Sequence, residues 1–321
     1  RALMEVAEKL KESLVKNKNV YKTNLSTDES KEVRGILNAE KMFSIPGKLM
    51  LSTFYISSGS AARNYQGPLF DYVIVDEASQ AFLTMLAAAN MLGKKNLWVG
   101  DVCQMPPIVK TSKDRIRKQS YEPLIDGFDT LTVSNKFKTY QLSDTYRLGE
   151  RAATFTGLFY NGSLKSMSDS DYIQVDQKDG PILVPMELPV GDPTPIEAIQ
   201  KAVTIASEVL NKDKKCKIAI LSHLIKTTGA LQVEVARQLG SINNILVDTV
   251  ARVQGLTRDI TIYVIPDTDA KLYSLEKRLF NVATSRAIRN TYIICPKNIV
   301  EYTYMSAEVR NYLQKLKNEL S

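Results

Sequence analysis

The apolar residues of the chain fall into short runs separated by longer stretches with a helical pattern. These runs predict β-strands at residues 49–54, 71–75 and 96–100, and the apolar stretch 81–92 predicts a helix between the last two. A continuous apolar run such as 71–75 is typical of a parallel strand that is covered on both faces. Strand, helix and strand in this order indicate a parallel sheet with crossover connections.

The same alternation returns in the second half of the chain. The predicted strands there are residues 217–223, 242–249, 259–265 and 291–295. The proline- and aspartate-rich stretch 180–195 predicts a loop. A boundary between the two blocks gives domains 1–135 and 136–321, and the predicted fold class is α/β with two parallel sheets.

Amphipathic stretches lie at both ends of the chain. Residues 1–14 carry apolar side chains at helical spacing, and the polar segment 17–45 that follows has an irregular or inserted character. At the other end, residues 307–320 predict a helix. Its apolar face carries Val309, Tyr312, Leu313 and Leu316.

The composition is that of an ordinary globular protein with a basic excess. The chain has 321 residues, and its formal charge of +7 favours a polyanionic partner. No apolar run approaches the ~18 residues that a membrane span needs, and we expect no membrane partner. Cys103, Cys216 and Cys295 lie far apart in the sequence. We therefore expect free thiols in a reducing, intracellular setting, cytoplasmic or in the nucleoid or nucleus.

The predicted strand 71–75 runs directly into two carboxylates, Asp76 and Glu77. One interpretation is a strand that merely ends in polar residues. The other is a nucleotide site at the carboxyl end of a parallel strand, where α/β sheets bind ligands. In such a site an Asp holds Mg²⁺ and the next Glu polarises the water that attacks a γ-phosphate. The bound cation would offset the repulsion between the two adjacent charges.

Four further segments favour the second interpretation. They are VGDVCQMPP (99–107), LSDTYRLGE (142–150), DTVARVQGLTRD (248–259) and LFNVATSRA (279–287). Each is weak alone, but with the Asp76–Glu77 pair their order resembles motifs II, III, IIIa/IV, V and VI of superfamily 1 helicases. The resemblance implies two RecA-like domains of the P-loop NTPase fold, with ATP bound between them.

Shorter segments extend the resemblance. RALMEVAEKL (1–10) resembles the helix after motif Ia, and LSTFYISSG (51–59) falls where the family has motif Ic. TGLFYNGSLKS (156–166) is similar to the branch of the nonsense-mediated-decay helicase, whereas QGLT (254–257) is closer to the RecD- and Pif-like branch. The resemblance therefore leaves the subfamily open.

The resemblance implies roles in ATP hydrolysis for five residues. Asp76 would bind Mg²⁺, Glu77 would be the catalytic base, and Gln104 would sense the γ-phosphate or position the water. Arg147 and Arg286 would reach from the second domain as arginine fingers. That role requires a planar guanidinium with a fixed charge.

The resemblance also implies contacts with the nucleotide and with nucleic acid. Tyr146 is either a platform for the nucleotide base or a half-buried aromatic between the domains. Gln254 and Gly255 form a turn that can approach phosphate or sugar, and Asp101 joins them in the predicted nucleotide site. The residues predicted to contact nucleic acid are Ser52, Thr53, Pro106 and Thr257. For the three hydroxyl residues, the alternative is an ordinary polar strand end.

The sequence contains no GxxxxGK[ST] phosphate-binding loop. The stretch SIPGKLM (44–50) lacks the first Gly and the Ser or Thr, and it lies out of order for the family. We therefore expect the loop to lie upstream in the natural protein. On that expectation the first domain is N-terminally truncated, and this chain alone hydrolyses no ATP.

The predicted function is the motor of a superfamily 1 helicase or translocase. Its expected cofactors are ATP and Mg²⁺, and its expected partner is single-stranded nucleic acid, DNA in preference to RNA. The alternative is a non-hydrolysing nucleic-acid-binding or scaffolding module that keeps the helicase fold.

Overall fold

The computed structural model describes most of the chain after residue 50. The described residues are 51–54, 56, 59, 67–134, 136–169, 175–176, 178–240, 243–269 and 271–320. The predicted helix 1–14, the polar segment 17–45 and the stretch 44–50 lie outside these ranges.

The first unit is a strand–helix–strand block, which confirms that prediction. Strand β1 (Phe70–Val75) and strand β2 (Gly93–Trp98) pair in parallel, and helix α1 (Leu83–Leu92) is the crossover between them. Three short helices follow, α2 (Lys113–Lys118), α3 (Glu122–Ile125) and α4 (Gly127–Val133). Because the pairing is parallel, β1 and β2 end at the same edge of the sheet.

Strand β1 is covered on one face, and the prediction of two covered faces is wrong. Val75 is buried, but Tyr72 and Ile74 are 66% and 61% exposed. Successive residues of a strand face opposite sides of the sheet. Among the described residues, the apolar cluster that includes Leu86 of α1 forms on the side of Val75.

The predicted strand at 49–54 is also wrong where the structure describes it. Residues 51–53 have no regular secondary structure and pair with neither β1 nor β2. The Ser52 hydroxyl donates to the Thr53 carbonyl at 3.1 Å. Local bonding of this kind is how serine competes with strand pairing.

The second unit is built on a larger parallel sheet. A short pair, β3 (Asp144–Thr145) and β4 (Lys165–Ser166), precedes it. The sheet strands are β5 (Gly180–Met186), β6 (Ile218–Ser222), β7 (Ile245–Thr249), β8 (Arg258–Val264) and β9 (Ala287–Pro296). They lie in the order β5-β9-β8-β6-β7, all parallel. The four predicted strands of this half are confirmed, with shifted bounds, whereas the boundary near residue 135 stays a prediction.

Helices cover both faces of this sheet and enclose two apolar cores. They are α5 (Glu150–Thr156), α6 (Ile196–Lys212), α7 (Ile225–Leu239), α8 (Lys271–Ser274), α9 (Lys277–Thr284) and α10 (Ala307–Asn318). One core packs α6 and α7 against the sheet, and the other packs α5, α9 and α10 against the opposite face. The four apolar residues predicted for the last helix are all buried. That prediction is confirmed.

Residues 180–186 form β5, so the predicted loop at 180–195 is wrong in its first half. Strand β5 pairs with β9 alone and lies at the edge of the sheet. Pro181 and Pro185 have no N–H to donate. An edge strand tolerates proline because half of its N–H groups need no strand partner.

Two further observations concern membrane spans and the cysteines. No helix in the described ranges is long and apolar enough to cross a membrane. Cys103, Cys216 and Cys295 are free thiols, as expected, whereas the reducing, intracellular setting stays a prediction.

Candidate active site

Asp76 and Glu77 lie in a tight turn directly after β1. Glu77 has a left-handed backbone (φ 50°, ψ 41°), which is uncommon for a residue other than glycine. Its N–H donates to Asp76 Oδ1 at 3.0 Å. The turn leads into the 3-10 helix Ala78–Gln80, and the Gln80 side chain donates to Glu77 Oε2 at 3.4 Å. These bonds hold both carboxylates at the carboxyl end of the strand.

The loop after β2 lies against this turn. The Val99 N–H donates to the Val75 carbonyl, and the Ala78 N–H donates to the Val99 carbonyl, each at 2.8 Å. Gly100 permits the close approach, because a Cβ there would lie 2.8 Å from the backbone nitrogen of Ser79. The two strand ends therefore present neighbouring side chains at one edge of the sheet.

Asp101 organises the loop after β2. Its Oδ1 accepts from the Cys103 N–H at 2.9 Å, and its Oδ2 accepts from Gln104 Nε2 at 2.8 Å. Gln104 Oε1 is buried and has no hydrogen-bond partner within the described residues. A buried acceptor without a partner is available to a ligand or a water molecule.

Two arginines of the second unit converge on Ser285, at the end of α9. Arg147 Nη1 donates to the Ser285 carbonyl at 3.2 Å, and Arg286 Nη2 donates to the Ser285 hydroxyl at 3.3 Å. Arg286 is only 2% exposed, and its Nε donates to the Val282 carbonyl at 3.1 Å. In the part of the chain that the structure describes, neither guanidinium forms an ion pair with a carboxylate.

The two guanidinium groups and Glu77 interact electrostatically. The pKa of Arg286 falls to about 10, chiefly because it is buried and next because Arg147 is near, while Glu77 opposes the shift. Burial also lowers the pKa of Arg147, again with Glu77 opposing. Both arginines remain charged at neutral pH; Glu77 acts on both of them, and Asp101 also acts on Arg286. Since neither arginine forms an ion pair among the described residues, both guanidinium groups are available to an anionic ligand.

The turn after β7 brings the second unit against Glu77. Strand β7 is followed by the 3-10 helix Val250–Val253, by Gln254 and by Gly255, whose φ of +81° favours glycine. A Cβ on Gly255 would lie 3.8 Å from Glu77 Oε1. The Nε2 of Gln254 is buried without a hydrogen-bond partner in the described ranges. Buried donors and acceptors without partners therefore lie on both units.

The other residues with predicted roles differ in their exposure to solvent. Tyr146 is 76% exposed, which rules out the half-buried alternative. Ser52 and Thr53 are exposed, whereas Pro106 and Thr257 are half-buried. Their contacts with a nucleotide or with nucleic acid stay predictions.

Two residues without a predicted role lie beside Asp101. The Tyr160 hydroxyl donates to Asp101 Oδ2 at 2.5 Å. Asn281 Nδ2 donates to the Tyr160 oxygen and to the Cys103 carbonyl, both at 2.9 Å. The sequence signal for Asn281 is its place inside the apolar run LFNVA, since a buried amide requires partners.

Ion pairs also join the two units. Arg278 of α9 pairs with Asp126, and its Nη2 lies 3.6 Å from Asp129 Oδ2. The bond from Asn281 to the Cys103 carbonyl comes from the same helix. Helix α9 therefore carries several contacts to the first unit and leads directly to Arg286.

Comparisons with known proteins bear on the identity of the chain. Residues 4–112 match the AAA domain family. The chain is 24% identical over 284 residues to an uncharacterized ATP-dependent helicase of Methanocaldococcus jannaschii, an alignment covering 82% of this chain and 41% of that protein. It is 28% identical over 239 residues to the DNA replication ATP-dependent helicase/nuclease DNA2 of Gallus gallus, covering 68% of this chain and 22% of that protein. Over most of its length the chain is similar to proteins named as ATP-dependent helicases.

This helicase-related chain spans less than half the length of those two relatives. Among solved structures, the arterivirus nonstructural protein 10 (helicase) is similar over 84% of this chain and 51% of that chain, with 14% identity and a TM-score of 0.40. Both units are α/β with parallel sheets, which confirms the predicted fold class. The activity, substrates and partners of the whole protein are matters for proposal.

Proposed function

We propose that this chain is the motor region of a superfamily 1 helicase that moves along single-stranded nucleic acid. ATP would be hydrolysed in the cleft between the two units. The observation that carries the proposal is the convergence of Arg147 and Arg286 from one unit with Glu77 of the other. Two guanidinium groups without an ion pair among the described residues suit a polyanionic substrate whose charge is redistributed during reaction.

The arginines have the chemistry that the terminal phosphate of ATP requires. A guanidinium donates two parallel hydrogen bonds to a phosphate, with a geometry that lysine cannot reproduce. The Arg286 guanidinium is positioned by the Val282 carbonyl and the Ser285 hydroxyl, so little side-chain freedom is left to lose. A group fixed in advance stabilises developing charge at small reorganisation cost.

Asp76 is the residue that would hold Mg²⁺. Its carboxylate is exposed in the turn at the carboxyl end of β1. That arrangement fits Mg²⁺, which in nucleotide sites keeps water ligands and uses one or two carboxylates with substrate phosphates. When bound, the ion would neutralise phosphate charge.

Glu77 and Gln104 fit the activation of the attacking water. The Gln104 amide nitrogen donates a hydrogen bond to Asp101. Its buried oxygen is therefore the atom left to accept a hydrogen bond from that water. Glu77, beside Gly255, would accept the proton that the water loses. Asp101, Gln254 and Tyr146 are proposed to complete the nucleotide site.

Single-stranded nucleic acid is the proposed track, with DNA favoured over RNA because the chicken relative is named for DNA replication. The basic excess of the chain favours binding to a phosphate backbone. Ser52, Thr53, Pro106 and Thr257 are proposed contacts on that track. Backbone contacts position a strand without reading its sequence, as a translocating motor requires.

The full-length protein is expected to bind single strands without sequence preference and with strong salt dependence. Each phosphate neutralised releases counterions, so the logarithm of the affinity should fall linearly with the logarithm of salt concentration, by about 0.7 per contact. Titrations of several unrelated oligonucleotides at four salt concentrations measure the slope and the preference. A flat salt response combined with a strong sequence preference would contradict a translocating motor.

The same preparation separates a motor from a passive binding module. The parent protein should displace a strand from a tailed duplex when ATP is added, whereas Glu77→Gln should bind the tail equally well and displace nothing. Displacement by neither protein, with normal binding by both, would favour the non-hydrolysing module.

A further inference from the structure

A chain of four hydrogen-bonded side chains crosses from the first unit to the second. Gln104 donates to Asp101, Tyr160 donates to the same carboxylate, and Asn281 donates to Tyr160. These residues come from the loop after β2, from the 3-10 helix Gly157–Tyr160 and from α9. We call these four residues the Tyr160 relay.

The relay fixes which end of the Gln104 amide faces the cleft. A carboxylate accepts hydrogen bonds and donates none, so the nitrogen of Gln104 must face Asp101. Its oxygen is then left as the free acceptor. The Tyr160 hydroxyl lies 2.5 Å from the carboxylate oxygen that Gln104 also contacts, at 2.8 Å. Tyr160 therefore restrains the group that orients Gln104.

Tyr160 is well placed to act as a fixed donor. Burial raises its pKa above the usual range of a phenol, so the hydroxyl keeps its proton at neutral pH. The preceding Phe159 is buried in the core beside Phe280 and Tyr312. Packing of the neighbouring residue limits how far the Tyr160 backbone can move.

Asn281 connects the relay to the arginine site. It is fully buried on α9 and also donates to the Cys103 carbonyl, in the same loop as Gln104. Val282, the next residue, and Ser285, one turn further along, hold Arg286. Helix α9 therefore positions Arg286 and also binds the loop that carries Gln104.

We propose that Tyr160 and Asn281 are positioning residues that make the orientation of Gln104 depend on docking of α9. When α9 is docked, Asp101 is held and Gln104 presents its oxygen. When α9 withdraws together with the 3-10 helix Gly157–Tyr160, the loop loses the Tyr160 and Asn281 bonds and Gln104 loses its fixed orientation. The inference rests on the proposed ATP hydrolysis and adds a physical link by which cleft closure would control the reaction.

Cys103 provides a test that does not depend on hydrolysis. Its thiol donates to the Phe159 carbonyl at 3.2 Å, and burial raises its pKa, so it should react slowly with iodoacetamide. Tyr160→Phe removes the hydroxyl that donates to Asp101. Asn281→Ala removes the two hydrogen bonds that Asn281 donates, to the Tyr160 oxygen and to the Cys103 carbonyl. Each should increase the rate of Cys103 modification several-fold in the full-length protein, measured by mass spectrometry of the peptide that contains Cys103.

Tyr292→Phe is the matched control. The Tyr292 hydroxyl donates to an Asp176 carboxylate oxygen at 3.0 Å, and Tyr292 is 6% exposed in the other apolar core. This variant removes the same type of buried bond outside the relay. It should leave Cys103 modification and ATP turnover at the parental level. An equal effect of Tyr160→Phe and Tyr292→Phe would assign Tyr160 a role in stability alone.

The kinetic test distinguishes positioning from binding. Tyr160→Phe should lower kcat by about ten- to hundredfold, the scale of a misplaced reacting group, and leave KM for ATP nearly unchanged. In a Gln104→Ala background, Tyr160→Phe should lower kcat little further, because the group through which it acts is gone. Additive losses in the double variant would overturn the inference.

Different results would contradict the proposed function and the proposed role of the Tyr160 relay. Absence of ATP hydrolysis in the parent protein would overturn the proposed function. Unchanged Cys103 modification in both Tyr160→Phe and Asn281→Ala would overturn the relay, whatever the hydrolysis rate.

Discussion

Arg286→Ala should lower ATP turnover by the full-length protein by about 10²–10³-fold and change nucleotide affinity far less. Removal of an arginine finger typically costs about 10³–10⁵-fold, because the guanidinium stabilises charge that develops on the transferring phosphoryl group. We expect a smaller loss here, because Arg147, which donates to the Ser285 carbonyl beside the hydroxyl that Arg286 contacts, leaves a second cation in place. Steady-state hydrolysis with saturating single strands, alongside nucleotide binding without turnover, measures both quantities.

Two companion variants sharpen this prediction. Arg286→Lys should recover little, since an ammonium group lacks the fork geometry. Arg289→Ala is the control, because Arg289 is also largely buried and its Nη1 binds an Asp213 carboxylate oxygen at 2.7 Å. That variant should cost stability but leave the kcat of the folded protein near the parental value. If Arg286→Ala stays within a few-fold of the parent, its guanidinium does not act on the phosphoryl group.

Glu77→Gln should lower turnover by about 10²–10⁴-fold, the range typical of a lost general base. The amide has the same shape but cannot take a proton from water at neutral pH. It also removes the carboxylate that opposes the pKa shifts of Arg147 and Arg286. Affinity for ATP should therefore be unchanged or higher, because less negative charge faces the phosphates. Pre-steady-state turnover and equilibrium binding of a fluorescent nucleotide measure the two effects.

Glu187→Gln is the control for the loss of one negative charge. Glu187 is exposed and pairs with Lys297 at 3.1 Å on the second unit. Its removal should leave turnover unchanged. Equal, small effects of Glu77→Gln and Glu187→Gln would show that Glu77 is not the base.

The sequence was informative where the chemistry is local. Parallel strands and crossover helices follow from runs of apolar residues, and each turn after a strand follows from adjacent polar residues or glycine. The residue pattern alone therefore places Asp76, Gln104 and Gly255 in the segments that follow strands. It does not predict the left-handed backbone of Glu77, because nothing in the neighbouring residues requires that conformation.

The sequence was less informative where neighbours in space decide the outcome. Pro181 and Pro185 suggested a loop, since composition does not reveal that β5 lies at an edge. Tyr72 and Ile74 belong to an apolar run, but which face is covered depends on packing. Tyr160 and Asn281 gained a candidate role only when Asp101 was found beside them, more than 50 residues away in the chain.

The central claim is that Glu77, Arg147 and Arg286 form one ATPase site whose activity depends on nucleic acid. Steady-state ATP hydrolysis by the full-length protein, with and without a saturating single-stranded oligonucleotide, tests it most directly. We expect the single strand to raise kcat at least tenfold, on the order of 1.4 kcal/mol of barrier, and Glu77→Gln to abolish this response. Hydrolysis that is absent under both conditions, or that proceeds at the same rate with and without the strand, would contradict it.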